Sequence, residues 1–168
     1  MRRYVLSVLV KNTSGVLSKV VGLFSRRGYN IRSLSVGETH DPLLSRITIE
    51  IMGDETVLEQ IKKQLAKLED VEKVKGIRSK SSVYRELVLL KVMVDAGKRR
   101  DVFELCEVFR TKIVDISKTS LIIELSGSPE KNDAFIEMLS DYGIIEMSRT
   151  GITALERGDR SIHTNGKQ

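Results

Sequence analysis

The chain has 168 residues, 40% of them hydrophobic and 30% charged, with a formal net charge of +5. That length suits one medium domain or two small ones of ordinary soluble composition. The longest apolar runs, such as 87–90, fall far short of the ~20 residues that span a bilayer, and the single cysteine, Cys106, excludes an internal disulfide framework. The basic balance admits nucleic acid or an acidic protein surface as partner, against the plainer reading of a surface rich in both signs. Met1-Arg2-Arg3-Tyr4 leads straight into a strand pattern. No secretory signal and no membrane anchor are therefore expected, and the cytoplasm is the expected compartment.

Residues 4–10 alternate and are rich in Val and Leu, which predicts a strand. Val16, Leu17, Val20, Val21 and Phe24 fall on one helical face, and Gly28 suits a left-handed helix stop. Ile31, Leu34 and Val36 suggest a second strand, Asp41-Pro42 a turn, and 44–52 a cleanly alternating third strand. Asp54 is the expected cap of a second helix with the stripe Leu58, Ile61, Leu65 and Leu68, and 71–77 a short fourth strand. The order repeats. Residues 84–94 read as a strand, with Val102, Leu105, Cys106 and Phe109 as a helical face. Residues 112–116 and 121–125 read as strands, Ser128-Pro129 as a capped helix start, and Phe135, Ile136, Leu139 and Tyr142 as its stripe. A last strand is expected over 144–147. Two βαββαβ units predict an α+β protein of two ferredoxin-like domains, each a sheet with two helices on one face. In the first, Val5, Ser7, Leu9 and Leu6, Val8, Val10 make both sheet faces largely apolar, which favours pairing with another copy or domain.

Catalytic chemistry is not visible. His40 and His163 fall in a loop and the tail, Cys106 falls on an apolar helix face, and there is no phosphate-binding glycine loop. RNA-binding sheets of this fold stack bases on strand aromatics; here Tyr4 stands alone at an edge, and no nucleic acid is expected. The cluster Gly97-Lys98-Arg99-Arg100 is a solvated helix start or a contact for an acidic surface. The stretch from 8 to 36 is more informative. Asn12-Thr13-Ser14-Gly15 opens a helix whose free amides and dipole suit a carboxylate. Gly15 allows close approach, and Asn12 and Asn30 can serve both ends of a zwitterion. Val16, Leu17 and Ile31 are the candidate lining of a small apolar pocket. The structural alternative is that Thr13 or Ser14 caps the helix and the glycine eases a turn.

The segments "SVLVKNTSGVLSKVVGLFSRRGYNIRSLSVG", "DPLLSRITI" and "LEQIKKQLAKLEDVEKV" closely resemble the regulatory small subunits of acetolactate synthase, also called acetohydroxyacid synthase. The shared pattern is Asn-x-x-Gly-x-Leu (Asn12, Gly15, Leu17) followed by "GLFSRRGYNI" over 22–31; "VFR" and "RTGITAL" carry a looser likeness in the second half. The resemblance implies an amino-acid-binding ACT domain over 1–78 and a regulatory ferredoxin-like domain over 84–157; the short polar stretch 79–83 reads as a linker, and 158–168, with almost no apolar content, as a flexible tail. The resemblance also implies a homodimer in which valine lies between the helix-start loop of one chain and the Gly-Tyr-Asn turn of the other. Asn12, Ser14, Gly15, Val16 and Leu17 would come from the loop, and Asn30 and Ile31 from the turn. The amides of Gly15, Val16 and Leu17 would take the carboxylate, and Asn30 the ammonium. Leucine or isoleucine would bind more weakly, since a methylene is discriminated by only ~1–3 kcal/mol. It further implies a non-catalytic subunit that activates a catalytic large subunit and confers feedback inhibition. Thiamine diphosphate, magnesium and FAD would sit on that partner and none on this chain. The loop "DAGKRRDV" lacks the pattern, so no second site is expected. Two other readings remain: a free-standing ACT sensor acting on another enzyme, and an acylphosphatase-like hydrolase, which needs an arginine that "KNTSG" does not supply.

Overall fold

The computed structural model describes residues 2–164. The chain divides into two compact units, Met1–Val83 with Ile152–Gln168, and Tyr84–Gly151. Among the described residues no helix is long and apolar enough to cross a membrane.

The first unit runs β1 (Arg2–Lys11), α1 (Val16–Arg27), β2 (Ile31–Glu38), β3 (Leu44–Gly53), α2 (Glu55–Leu65) and β4 (Val71–Ile77), as the periodicity predicts. Its sheet has the order β2-β3-β1-β4 with antiparallel neighbours, so β2 is an edge strand. Alternation sends Leu6, Val8, Val10, Ile47, Ile49 and Ile51 toward the helices, where they meet Val16, Val20, Phe24, Ile61 and Leu65. Leu17 differs from expectation: it is 42% exposed, and Leu23 takes the inward place. Leu17 stands in the first turn of α1, at the exposed end of the helix. Leu68 packs on the core from beyond the end of α2.

The other sheet face, expected to pair with another copy or domain, is crossed by a later segment of the chain itself. Register places Ser35, Thr48, Ser7 and Lys75 in one row across all four strands. The chain returns over that row after residue 151. Ser35 Oγ donates to the Ile152 carbonyl (2.7 Å), and at the opposite end Lys75 Nζ reaches Glu156 (2.6 Å) and the Ser161 carbonyl (2.8 Å). Ile152, Ala154 and Ile162 are buried, as are Val5, Ser7 and Leu9. A short strand, β9 (Thr153–Glu156), lies within this segment. By contact, residues 152–164 lie with the first compact unit and the second compact unit ends at Gly151; Ile162 is buried and the Thr164 carbonyl accepts from Lys75. Burial of Ile152 and Ile162 against the first sheet is the physical reason; residues 165–168 lie outside the described residues.

Lys19 of α1 pairs with Asp70 (2.5 Å), before β4. The hydrogen bond from Lys19 holds the Asp70 carboxyl below its ordinary value near 3.8, and the same bond raises Lys19 above 10.5. A depressed carboxylate contributes stability that is present above about pH 4 and lost as pH falls through the folded-state value. The raised lysine contributes below about pH 10.4 and loses that contribution above it. Asp70→Asn is therefore expected to melt below wild type at pH 7 by a small margin that closes under pH 4. Parallel melting curves from pH 7 to 2 would remove this pair from the acid limb.

The second unit repeats the pattern with β5 (Ser82–Met93), α3 (Arg99–Phe109), β6 (Lys112–Ile116), β7 (Ser120–Gly127), α4 (Pro129–Leu139) and β8 (Ile144–Arg149), its sheet ordered β6-β7-β5-β8. Val88, Leu90, Val92, Leu121, Ile123 and Leu125 meet Val102, Cys106, Phe135 and Leu139. Phe109 and Phe135 pack edge to face at 5.1 Å. Ser128 caps α4, with its hydroxyl accepting from the Lys131 amide, and Pro129 opens it, as predicted. Burial pushes the Cys106 thiol up, in keeping with a packing role.

Candidate functional site

β1 ends at Lys11, and Asn12 begins the turn into α1. The Asn12 amide donates to Leu43 O (2.7 Å), while its side-chain Nδ2 donates to Glu38 Oε1 and Pro42 O, both at 2.9 Å. The loop is thereby clamped to the β2–β3 hairpin. Both side-chain donors of Asn12 are used, which leaves Oδ1 as an acceptor. Glu38, the clamp, was not visible as a site residue in sequence; only its place at the end of a strand facing the hairpin turn hinted at it.

The helix start is uncapped. Gly15 occupies the cap position at φ 85, and neither Thr13 nor Ser14 supplies a side-chain hydrogen bond. The capping alternative for those two residues is therefore overturned. The Val16 amide reaches only a long contact with Thr13 O (3.5 Å). There is no acidic residue in the first turn. The contrast is α2, where Asp54 Oδ1 accepts from Val57 N at 2.9 Å. A left-handed conformation at the cap explains the glycine: an L side chain there is strained. Space is not the reason, because a Cβ on Gly15 would meet nothing within 4 Å. Ser14, Gly15 and Leu17 are exposed, whereas Val16 is buried in the core.

At the far end, Gly28 at φ 68 terminates α1, with Gly28 N donating to Ser25 O and Tyr29 N to Phe24 O. Tyr29 stacks edge-on against Phe24 and donates its hydroxyl hydrogen to Gln60 (3.1 Å). This leaves Asn30 exposed at a fixed exit, while Ile31 is half-buried on the core and pairs with Ile51. The structure thus brings Asn12, Ser14, Gly15, Val16 and Leu17 together, and Asn30 and Ile31 together, but not the two groups. The 12 residues of α1 separate them, roughly 18 Å at 1.5 Å per residue.

The loop from β5 to α3 in the second unit is built differently. Asp95 Oδ1 accepts from Lys98 N (2.9 Å), and Arg99 donates to the carbonyls of Ser117 (2.8 Å) and Lys118 (2.7 Å). Arg100 pairs with Glu104 one turn on (3.1 Å). The basic cluster 98–100 is therefore partly spent on local structure.

Residues 6–73 match the acetohydroxyacid synthase small subunit-like ACT domain, and residues 85–158 match the family described as the small subunit of acetolactate synthase. The chain is 48% identical to the acetolactate synthase isozyme 3 small subunit of Salmonella typhimurium over 94% of its length and 98% of that protein's. It is also 48% identical to a probable acetolactate synthase small subunit of Archaeoglobus fulgidus, over 94% and 99%. The crystal structure of the acetolactate synthase small subunit from Thermotoga maritima superposes with a TM-score of 0.87 at 43% identity, covering 95% of this chain and all of that one. With two ferredoxin-like units, the first an ACT domain, this chain belongs to the acetolactate synthase small-subunit family, the regulatory subunits of that enzyme.

Proposed function

We propose that the chain pairs with a second copy through its ACT domain, binds valine between the two, and so sets the activity of a catalytic acetolactate synthase large subunit in the cytoplasm. The observation that carries the reading is the run of β2. This edge strand starts beside Asn30 and ends at Glu38, which holds Asn12. Antiparallel pairing of β2 with the β2 of a second copy would set the start of one strand beside the end of the other. Asn30 of one chain would then face the uncapped helix start of its mate, closing the gap that α1 keeps open within one chain. The valine carboxylate would lie on the amides of Gly15, Val16 and Leu17, and its ammonium on Asn30, with Asn12 Oδ1 as a further acceptor. Leu17, exposed in one chain, and Ile31 would flank the isopropyl group, and Ser14 the loop side.

Thiamine diphosphate, magnesium and FAD belong in this reading to the large subunit, and the reaction with them. This chain's part is to bind the effector and favour one arrangement of the complex, through a coupling of ~1–3 kcal/mol. Residues 1–78 form the sensing part, and the second ferredoxin-like part, placed by the sequence reading at 84–157, communicates with the large subunit.

The test is calorimetric titration with L-valine against D-valine. Saturable, stereospecific binding is expected. Asn30→Ala is expected to keep the fold, because its side chain is exposed in a turn, and to weaken binding roughly tenfold or more, the effect of one lost hydrogen bond to a charged group. Unchanged affinity in that variant would remove Asn30 from the site. Absence of valine binding both alone and with the large subunit would favour an ACT sensor for another ligand.

A further inference from the structure

Register in the first sheet places Ser7 beside Lys75, and Arg46 beside Leu9, on the face that the returning segment crosses. Between that face and the segment lies a cavity of ≈ 250 Å³ lined by Ser7, Arg46, Lys75, Glu156 and Arg160 among others. A liquid water occupies about 30 Å³, so a small polyatomic ion fits with room for hydration. None of the residues of the valine reading lines it.

Its charges do not cancel. Lys75 is matched: its ammonium meets Glu156 at 2.6 Å and the carbonyls of Ser161 at 2.8 Å and Thr164 at 3.2 Å. Arg46 is half-buried and donates from Nη1 to Ser7 Oγ at 3.2 Å. Among the described residues neither Arg46 nor Arg160 forms an ion pair with a carboxylate. A guanidinium carries five N–H donors in a fixed fork, so most of the donors of Arg46 remain available. Burial lowers its pKa from the ordinary arginine value, with desolvation the only cause. A desolvated cation with no counter-charge is unfavourable, and a planar or tetrahedral oxyanion is the ligand a guanidinium fork fits best.

We propose that this cavity binds a small oxyanion of the carboxylate or phosphate class, held by the guanidinium groups of Arg46 and Arg160 with the Ser7 hydroxyl. Such an ion would join β1 and β3 to the segment 152–164 and so tie the end of the chain to the ACT sheet.

The test uses the full chain in chloride buffer, titrated by calorimetry with inorganic phosphate and separately with acetate at constant ionic strength. Saturable binding of at least one of the two is expected at one site per chain. Binding of phosphate alone assigns the phosphate class, and binding of acetate alone the carboxylate class. Arg46→Gln is expected to weaken binding at least ~10-fold and the exposed Arg160→Gln ~3-fold or more, as losing a charge-assisted contact does. Arg100→Gln, on α3 of the second unit, is the control and keeps wild-type affinity. Asn30→Ala also keeps it, which separates this site from the valine site. No binding of either anion, or wild-type affinity in Arg46→Gln, overturns the proposal. If Arg46→Gln does not fold by circular dichroism, Arg160→Gln decides, and unchanged affinity there overturns it.

Discussion

Gly15→Asp is expected to weaken L-valine binding roughly 1,000- to 10,000-fold. Two effects add. Gly15 sits at φ 85, where an L residue loses about 1–2 kcal/mol. The larger effect is charge. A new carboxylate at the uncapped helix start would lie where the ligand's own carboxylate is proposed to sit, and two like charges ~4 Å apart repel by about 4 kcal/mol at an effective dielectric of 20. The aspartate would also satisfy the free amides itself, as Asp54 does for α2. Gly15→Asn separates the two effects, because asparagine tolerates the left-handed region and carries no charge. Gly15→Ala isolates strain, since a Cβ there meets nothing within 4 Å. The order of affinities by calorimetry should be wild type first, then Asn and Ala, with Asp last by a wide margin. Wild-type affinity in Gly15→Asp would show that the carboxylate lies elsewhere.

Arg149→Met should destabilise the second unit by about 3–5 kcal/mol, the range for breaking a buried ion pair by removing one partner. Glu86 is 5% exposed on β5. Arg149 donates to it from Nε (3.0 Å) and Nη2, and from Nη2 to Asp133 (2.6 Å). Asn132 Nδ2 adds a bond to Glu86 at 3.2 Å. The Glu86 carboxylate raises the Arg149 pKa further above an already high value, so the arginine stays charged at every working pH. Without Arg149, Glu86 keeps only the asparagine, inside a region that solvates charge poorly. Glu86→Leu with Arg149→Met removes both charges, and this double variant should recover much of the loss. Urea unfolding of the single and double variants measures both. A double variant no more stable than Arg149→Met would mean that the cost comes from packing and not from the stranded charge.

The strand over 44–53 was legible because Ile47, Ile49 and Ile51 alternate with polar neighbours, and Asp54 and Ser128 were legible as caps because their chemistry is local. Leu17 was misplaced because apolar residues inside a helix and at an exposed helix start look alike in sequence. The Glu86–Arg149 pair joins residues 63 apart, and the bond between Ser35 and Ile152 joins residues 117 apart; neither has a local signature. The clamp from Glu38 to Asn12 was missed for the same reason.

By itself, the sequence determined the two βαββαβ units, the helix stop at Gly28 and the family pattern around Asn12 and Gly15, because these rest on periodicity, backbone conformation and short-range hydrogen bonding. Only the tertiary structure decided that segment 152–164 covers the first sheet, that Glu38 clamps Asn12, and that Arg149 pairs with Glu86. Each depends on contacts between residues distant in the chain, where burial and charge pairing choose among arrangements that local propensity leaves equal.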